Sequence, residues 1–173
     1  MARIVYKKGL EGQNRLECIE GIEIELLTGQ KALIYPKYSK EVMLPKDKIE
    51  FWDAKENSEI EALKKEDNLW ATGALLRCGS PAAEYVSNFR SDKYGIFGLP
   101  TLLAAMDLYH QNEDIDALAE TIEGAHLLRD FIVGVCSCTR YSEDCGWIAS
   151  VFGFAIGDIL CSSYLAVPVV LYK

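Results

Sequence analysis

The most informative part of the sequence is its C-terminal tail, residues 136–172, which reads CSCTRYSEDCGWIASVFGFAIGDILCSSYLAVPVVLY. Clusters of Gly and Ser separate runs that are rich in β-branched and aromatic residues. This pattern is typical of short strands joined by turns. We therefore expect strands at 131–135, 147–154 and 165–172, the last with Pro168 near its middle.

Two helices are predicted immediately before these strands. Pro100 suits the first position of a helix, and the apolar residues behind it recur at helical spacing: Leu102, Leu103, Met106 and Tyr109. A second apolar face follows: Ile115, Leu118, Ala119 and Ile122. Residues 112–114 can cap the start of this helix, and Gly124 suits the left-handed position after its end. Two helices followed by an antiparallel meander predict the α+β class.

Several short motifs follow one another in this region: the segments 99–101 (Leu-Pro-Thr) and 136–142 (Cys-Ser-Cys-Thr-Arg-Tyr-Ser), Trp147 at a strand start, and the closing segment 166–170 (Ala-Val-Pro-Val-Val). Their order resembles the bacterial and phage domain family known as DUF1566, which has a C-type-lectin-like fold. The resemblance starts near residue 98, or near residue 68 if the helix opened by Ser80 and Pro81 belongs to it.

The chain also departs from that family. Gly98 stands where the family usually has Arg, and Val167 and Val170 replace its two closing arginines. Val135 and Cys136 stand near its Trp-Ser. The resemblance therefore implies the fold and not the properties that depend on those arginines. It implies a C-type-lectin-like unit over residues 68–173, with an antiparallel sheet and two to three helices, and an N-terminal β-rich extension over residues 1–67, both within one compact body.

The N-terminal part reads as short strands at 3–6, 15–24 and 31–35, with a turn at 28–30. Apolar residues at 22, 24 and 26 alternate with Glu23 and Glu25, which predicts a strand with one wet face. The segment 36–45 reads as a loop or edge strand, and Ser58 with Glu61 forms a capping-box pattern. We expect the segment 68–78, which carries Trp70, to be a strand or loop that packs under the main unit.

Composition limits the classes of function. The chain has 173 residues, of which 50% are hydrophobic, and a net charge of −8. Its pI is about 4.8. Nucleic acid is an unsuitable main partner for so acidic a chain, because a phosphate-binding surface needs a basic stripe. We expect no membrane span and no secretory signal peptide, since neither kind of apolar run occurs. The expected location is the cytoplasm or a particle, unless a signal has been trimmed.

Six cysteines raise the possibility of a metal or catalytic centre. Cys136 and Cys138 share one face of a predicted strand, and Cys145 and Cys161 follow. Their spacing lacks the paired C-x₂₋₄-C pattern of structural zinc sites. We therefore expect reduced thiols that act as small apolar residues, with no cofactor and no metal. An enzyme with a cysteine or metal centre on a lectin-like scaffold remains the alternative.

The most recognition-like cluster lies in the polar segment 140–146. It comprises Arg140, Tyr141, Glu143 and Asp144, with Trp147 as a core or contact residue. The resemblance implies that this loop and 161–164, which ends at Tyr164, gather at one end of the sheet. The calcium-ligating triplets of true C-type lectins do not occur in the sequence. The leading hypothesis is a non-catalytic binding or interaction module, such as an adhesin, surface or phage-particle component. Its partner would be a protein or glycan, and a homo-oligomer remains open.

Overall fold

The structure is a computed structural model that describes residues 1–43, 67–130, 135–140, 145–150, 153–158 and 164–173. Within 136–158 it describes side chains only at Ser137, Cys138, Ile148 and Ala149. The helices of these ranges are α1 (Asn68–Arg77), α2 (Pro81–Ser87), α3 (Leu102–His110) and α4 (Asn112–Ala119), with 3₁₀ turns at Leu16–Cys18 and Leu128–Asp130. The strands are β1 (Arg3–Tyr6), β2 (Ile19–Glu25), β3 (Lys31–Ile34), β4 (Ser39–Lys40), β5 (Arg90–Ser91), β6 (Gly95–Ile96), β7 (Val135–Arg140), β8 (Cys145–Ser150), β9 (Gly153–Asp158), β10 (Leu165–Ala166) and β11 (Val169–Tyr172). The predicted α+β class is confirmed.

The first sheet joins the two ends of the chain. In the described residues its order is β1-β2-β3-β11, and all of its pairs are antiparallel. Ile34 of β3 lies opposite Ile22 of β2 on one side and opposite Val169 of β11 on the other. The N-terminal strands and the C-terminal strand therefore belong to one sheet.

Both faces of this sheet are covered. On one face, Ile22, Ile24 and Ile34 pack in a buried cluster with residues of α3 and α4. On the other face, Leu33 and Val170 pack against Phe97, which follows the β5–β6 hairpin. The prediction of a wet face on β2 is therefore wrong for Glu23, which is 7% exposed.

The second sheet carries the C-terminal meander. Its order in the described residues is β4-β10-β7-β8-β9, in which β7, β8 and β9 are antiparallel and β10 runs parallel to β7. Helix α3 packs on β7 and β8, whereas α1 and α2 cover β7 and β10. A second buried cluster fills the space under α1 and α2 and includes Leu75, Val86 and Leu99.

The prediction for residues 68–78 is wrong, since they form helix α1. Asp67 caps the helix by accepting hydrogen bonds from Leu69 N at 2.9 Å and Trp70 N at 3.3 Å. The unit 68–173 therefore contains four helices among its described residues, compared with the two or three predicted. The predicted helix behind Ser80 is confirmed, and its cap bond joins Ser80 Oγ to Ala83 N at 3.1 Å.

Two of the predicted C-terminal strands are interrupted. The run 147–154 spans parts of both β8 and β9, which pair with each other as a hairpin. The run 165–172 divides into β10 and β11, which belong to different sheets, with Pro168 between them. Pro168 O accepts a hydrogen bond from Tyr35 N at 3.1 Å.

Pro100 precedes the cap residue Thr101, so it is not the first residue of α3. The Ser58–Glu61 pattern and residues 131–134 lie outside the described residues.

Candidate interaction surface

The loop predicted as the binding site is described only at its edges. Arg140 ends β7 and lies opposite Gly146 of β8. Tyr141, Glu143 and Asp144 lie outside the described residues, as do the side chains of Arg140 and Trp147. The proposed role of these residues in binding stays a prediction.

Tyr164 lies at the other end of β7. Leu165 pairs with Val135, the first residue of β7, in parallel orientation, and Arg140 is the last residue of that strand. At about 3.3 Å per residue, the two ends of the strand are roughly 16 Å apart. Tyr164 is partly buried against the cluster under α1 and α2. The expectation that Arg140 and Tyr164 share one loop end is wrong, because β10 enters the sheet parallel to β7.

A charged and aromatic cluster surrounds Glu23. Its carboxylate accepts hydrogen bonds from Arg3 Nε at 2.8 Å and from the Tyr172 hydroxyl, and Lys31 Nζ lies 3.8 Å away. Tyr172 in turn stacks on Tyr94, with ring centroids 4.2 Å apart. Every charged group of this cluster has a partner within it, so the cluster ties β1, β2 and β11 together.

Protonation of this cluster follows from its surroundings. Burial raises the pKa of Glu23, but hydrogen bonds from Arg3 and Tyr172 and the charges of Arg3 and Lys31 outweigh it, so the pKa lies below its ordinary value. Burial and the hydrogen bond to Glu23 raise the pKa of Tyr172. At neutral pH the cluster therefore contains a carboxylate and a neutral phenol.

A pocket of about 360 Å³ lies beside α4, and its mostly polar lining includes Asp116, Glu120 and Arg129. Both Asp116 oxygens accept backbone hydrogen bonds, from Leu128 N at 2.6 Å and Arg129 N at 2.9 Å. Arg129 pairs with Glu120. These groups are used to hold the 3₁₀ turn against α4.

The cysteines with described side chains are buried. Cys78 and Cys138 lie in the apolar cluster under α1 and α2, and Cys18 is buried beside β2. Among the described residues, no group of three or more His, Cys, Asp or Glu is placed to hold a metal ion. The side chains of Cys136, Cys145 and Cys161 lie outside that set.

The most unusual surface is an apolar stripe on the outer side of α1. Trp70 is 58% exposed, Leu69 44% and Leu76 40%. On a helix with 100° between successive residues, these three residues, Gly73 and Arg77 span an arc of about 120° centred on Gly73. We call these five residues the α1 stripe. The expected packing of 68–78 against the main unit is found on the inner side of α1, where Ala71, Leu75 and Cys78 are buried, whereas Trp70 lies on the outer side.

The inner side of α1 fixes the direction in which the stripe faces. Asn68 Nδ2 donates to Leu99 O at 2.9 Å and to Val169 O at 3.0 Å, and Thr72 Oγ1 accepts from Leu99 N at 3.0 Å. Leu75, on the same side of the helix, is fully buried. Because the inner side is held by hydrogen bonds as well as packing, α1 cannot rotate to hide its outer apolar side without breaking them.

Gly98 allows this close contact. A Cβ atom at residue 98 would lie 2.7 Å from Thr72 Oγ1 and 3.0 Å from Asn68 Nδ2. The Gly98 backbone also pairs with Val169, with N–H···O distances of 2.9 and 2.8 Å. The absence of a side chain at Gly98 thus allows α1 to pack directly against this segment.

Comparison of the chain with models of protein families, with curated proteins and with solved structures finds no match. Within the described residues, no helix is long and apolar enough to cross a membrane.

Sequence reasoning missed the α1 stripe, although a signal for it was present. Asp67 is a good helix cap, and the ten residues after it contain apolar residues on both sides of a helical wheel. A helix that is apolar all round is normally buried. One side of α1 is exposed here, which makes it the best candidate for a contact surface.

Proposed function

We propose that this protein is a non-catalytic protein-interaction module that binds its partner through the α1 stripe. The observation that carries the proposal is the exposure of Trp70 between two exposed leucines on a helix that the body of the protein holds in place. Tryptophan is enriched among the residues that dominate binding energy. A preformed surface also loses little conformational entropy on binding.

The chemistry of the stripe favours a protein over a glycan. A sugar needs polar groups that hydrogen bond to its hydroxyls beside the aromatic ring, as binding sites generally place a few polar groups to orient a ligand. Apart from the indole N–H of Trp70, the only polar side-chain groups in the stripe belong to Arg77, and the stripe offers no hydrogen-bond acceptor side chain. An apolar patch with a charged rim is the usual anatomy of a protein contact.

The element order supports a C-type-lectin-like scaffold for this module. Helices α3 and α4 precede the antiparallel strands β7, β8 and β9, and the chain closes with β11 behind Pro168. This is the order on which the resemblance to the DUF1566 family rests. A component of a cell surface, an adhesin or a phage particle is the setting we propose on that basis.

The proposal can be tested by comparative affinity capture from the source cell. The bait is wild-type protein, the Trp70→Ser variant or a Leu27→Ser control, which removes an 82% exposed leucine from the β2–β3 turn. We expect the same partner with wild type and control and at least a tenfold loss with Trp70→Ser, at unchanged melting temperature. Equal recovery by all three baits would place binding elsewhere on the molecule.

A further inference from the structure

We propose that the partner of the α1 stripe is a second copy of this chain, with the two α1 helices packed antiparallel about a two-fold axis beside Gly73. This inference rests on the proposed function, because it presumes that the stripe is a protein-binding surface. It adds the identity of the partner and the geometry of the contact.

The residues of the stripe are arranged in a self-complementary way. Leu69 and Leu76 are seven residues apart and lie on one flank, while Trp70 and Arg77, also seven apart, lie on the other. Gly73 lies between the flanks. In a two-fold dimer the same patch serves both subunits.

An antiparallel arrangement brings these flanks into productive contact. At about 1.5 Å per residue, Leu69 of one copy reaches the height of Leu76 of the second copy when the Gly73 residues are level. On the other flank, Trp70 reaches the height of Arg77 of the second copy. The first contact is apolar, and the second places a guanidinium beside an indole, a favourable cation–π pair.

Gly73 allows the two helices to approach closely. A Cβ atom at this position would meet only Arg77 Nη1, at 3.7 Å, so the body of the protein does not require a glycine there. Glycine inside a helix lowers the stability of the helix relative to alanine. Small residues at the crossing point of two helices let their backbones come together. A dimer contact therefore provides a reason for Gly73 that the monomer lacks.

Charge predicts how this dimer responds to salt. Each chain has a net charge of −8, so two copies repel each other at long range. The stripe itself contains no acidic residue and presents the positive Arg77. Salt screens the long-range repulsion and leaves the apolar contact intact. Association is therefore strengthened by added salt.

The small size of the contact limits its strength. A ten-residue helix offers less than the roughly 800 Å² per partner that specific, stable protein complexes bury. We therefore expect a weak dimer, with a dissociation constant above about 1 μM.

Sedimentation equilibrium of the purified full chain, from a few micromolar to about 500 μM, measures this association. Wild-type protein and the Leu27→Ser control should dimerise, with greater affinity at higher salt. Gly73→Glu places two carboxylates at the centre of the contact and should abolish dimerisation. Arg77→Gln removes two symmetry-related cation–π pairs and should weaken dimerisation by about five- to thirtyfold. Circular dichroism and melting temperatures establish that each variant is folded.

Orientation is tested by cysteine cross-linking. A mixture of Leu69→Cys and Leu76→Cys proteins should yield a disulfide that joins position 69 to position 76 of the other copy, identified by peptide mass. An excess of 69–69 or 76–76 bridges would indicate parallel helices and overturn the geometry.

The outcomes separate this inference from the proposed function. A wild-type chain that stays monomeric at about 500 μM overturns the dimer, but a Trp70-dependent partner recovered from the source cell would still support the interaction module. A dimer that is unaffected by Gly73→Glu uses another surface and also overturns the inference. A monomer that melts at a lower temperature after Trp70→Ser would show that the stripe is covered from within the chain, and both proposals would fail.

Discussion

Gly98 is important for the packing of α1, because any side chain at this position would collide with the helix. Gly98→Ala would push a methyl group into Thr72 Oγ1 and Asn68 Nδ2, which hold α1 through hydrogen bonds. Overpacking in a core typically costs about 1–3 kcal/mol, and disturbed buried hydrogen bonds add to it. We expect the free energy of unfolding, measured by urea titration, to fall by about 2–4 kcal/mol.

Gly73→Ala is the matched control, since it adds the same methyl group to a helix position where the nearest atom is 3.7 Å away. There the gain in helix propensity should leave stability equal to that of wild type or up to about 1 kcal/mol higher. If the two alanine variants were equally stable, the close seating of α1 on Gly98 would be contradicted.

Glu23 should give the protein a specific dependence on acid. Its pKa is lower in the folded state than in the unfolded chain, so its stabilising effect is fully present above the unfolded pKa of about 4.3. That contribution is lost as the pH falls through the folded pKa. Between pH 6 and 2, the free energy of unfolding should therefore decrease less steeply in Glu23→Gln than in wild type.

Glu25→Gln is a suitable comparison, because Glu25 is an exposed carboxylate at the end of the same strand. Urea titrations across the pH range should give a Glu25→Gln profile that parallels the wild type. A Glu23→Gln protein with the wild-type slope would mean that the carboxylate is not stabilised by Arg3 and Tyr172.

Among the elements, α1 shows why local pattern was insufficient. The sequence of α1 combines Trp70, Thr72 and Gly73, none of which favours a helix strongly, with an apolar composition on all sides. Its position is decided by contacts with Leu99 and Val169, about 30 and 100 residues away along the chain. Distant hydrogen bonds of this kind leave no periodic signal in the local sequence.

The two sides of α1 should respond differently to truncation. Leu75→Ala removes a fully buried side chain and should lower the free energy of unfolding by about 2–5 kcal/mol. Trp70→Ser alters an exposed side chain and should change it by less than about 0.5 kcal/mol. Thermal and urea unfolding at low micromolar concentration, where a weak dimer is dissociated, measure both effects.

A large loss of stability on Trp70→Ser under those conditions would mean that the indole supports the monomer fold. The α1 stripe would then be a packing surface, and the proposed function would lose the observation that carries it.

The strand predictions agree best with the structure where a predicted strand belongs to a single sheet. The alternation and the turn around Gly29 located β3 and most of β2, because both are ordinary features of a hairpin. The start of the predicted strand 15–24 was wrong, since Leu16–Cys18 forms a 3₁₀ turn. The prediction of one strand over 165–172 was wrong, because the apolar run is continuous while the chain passes from one sheet to the other at Pro168. The segment is largely buried in both sheets and is therefore apolar throughout. Its composition consequently gives no sign of the point at which the chain leaves one sheet for the other.

At the scale of the whole molecule, topology decided which predicted site residues come together. The polar segment 140–146 was identified by composition, but its distance from Tyr164 depends on β10 running parallel to β7. Strand direction and pairing are long-range properties that a single sequence does not encode locally. The α+β class was predictable from the order of elements, whereas the proposed contact surface became apparent only from the three-dimensional placement of α1.

The closure of the first sheet leads to a prediction about the two parts of the chain, 1–67 and 68–173. Four residues of β11 pair with β3, and Ile22, Ile24 and Ile34 form one side of the main core beneath α3 and α4. A fragment that begins at residue 68 would leave β11 without its neighbour and expose the apolar side of both helices. Few isolated strands are stable without a covered hydrophobic face.

We therefore expect the 68–173 fragment alone to lack a cooperative thermal transition by circular dichroism, whereas the intact chain unfolds in one. Addition of a separately produced 1–67 fragment should restore the transition, since it supplies the strands β1, β2 and β3, of which β3 pairs with β11. A 68–173 fragment that unfolds cooperatively by itself would show that the N-terminal strands are an accessory to an independent domain. The buried pairing of β3 with β11 argues for the opposite outcome, because it makes the N-terminal strands part of the core that the helices require.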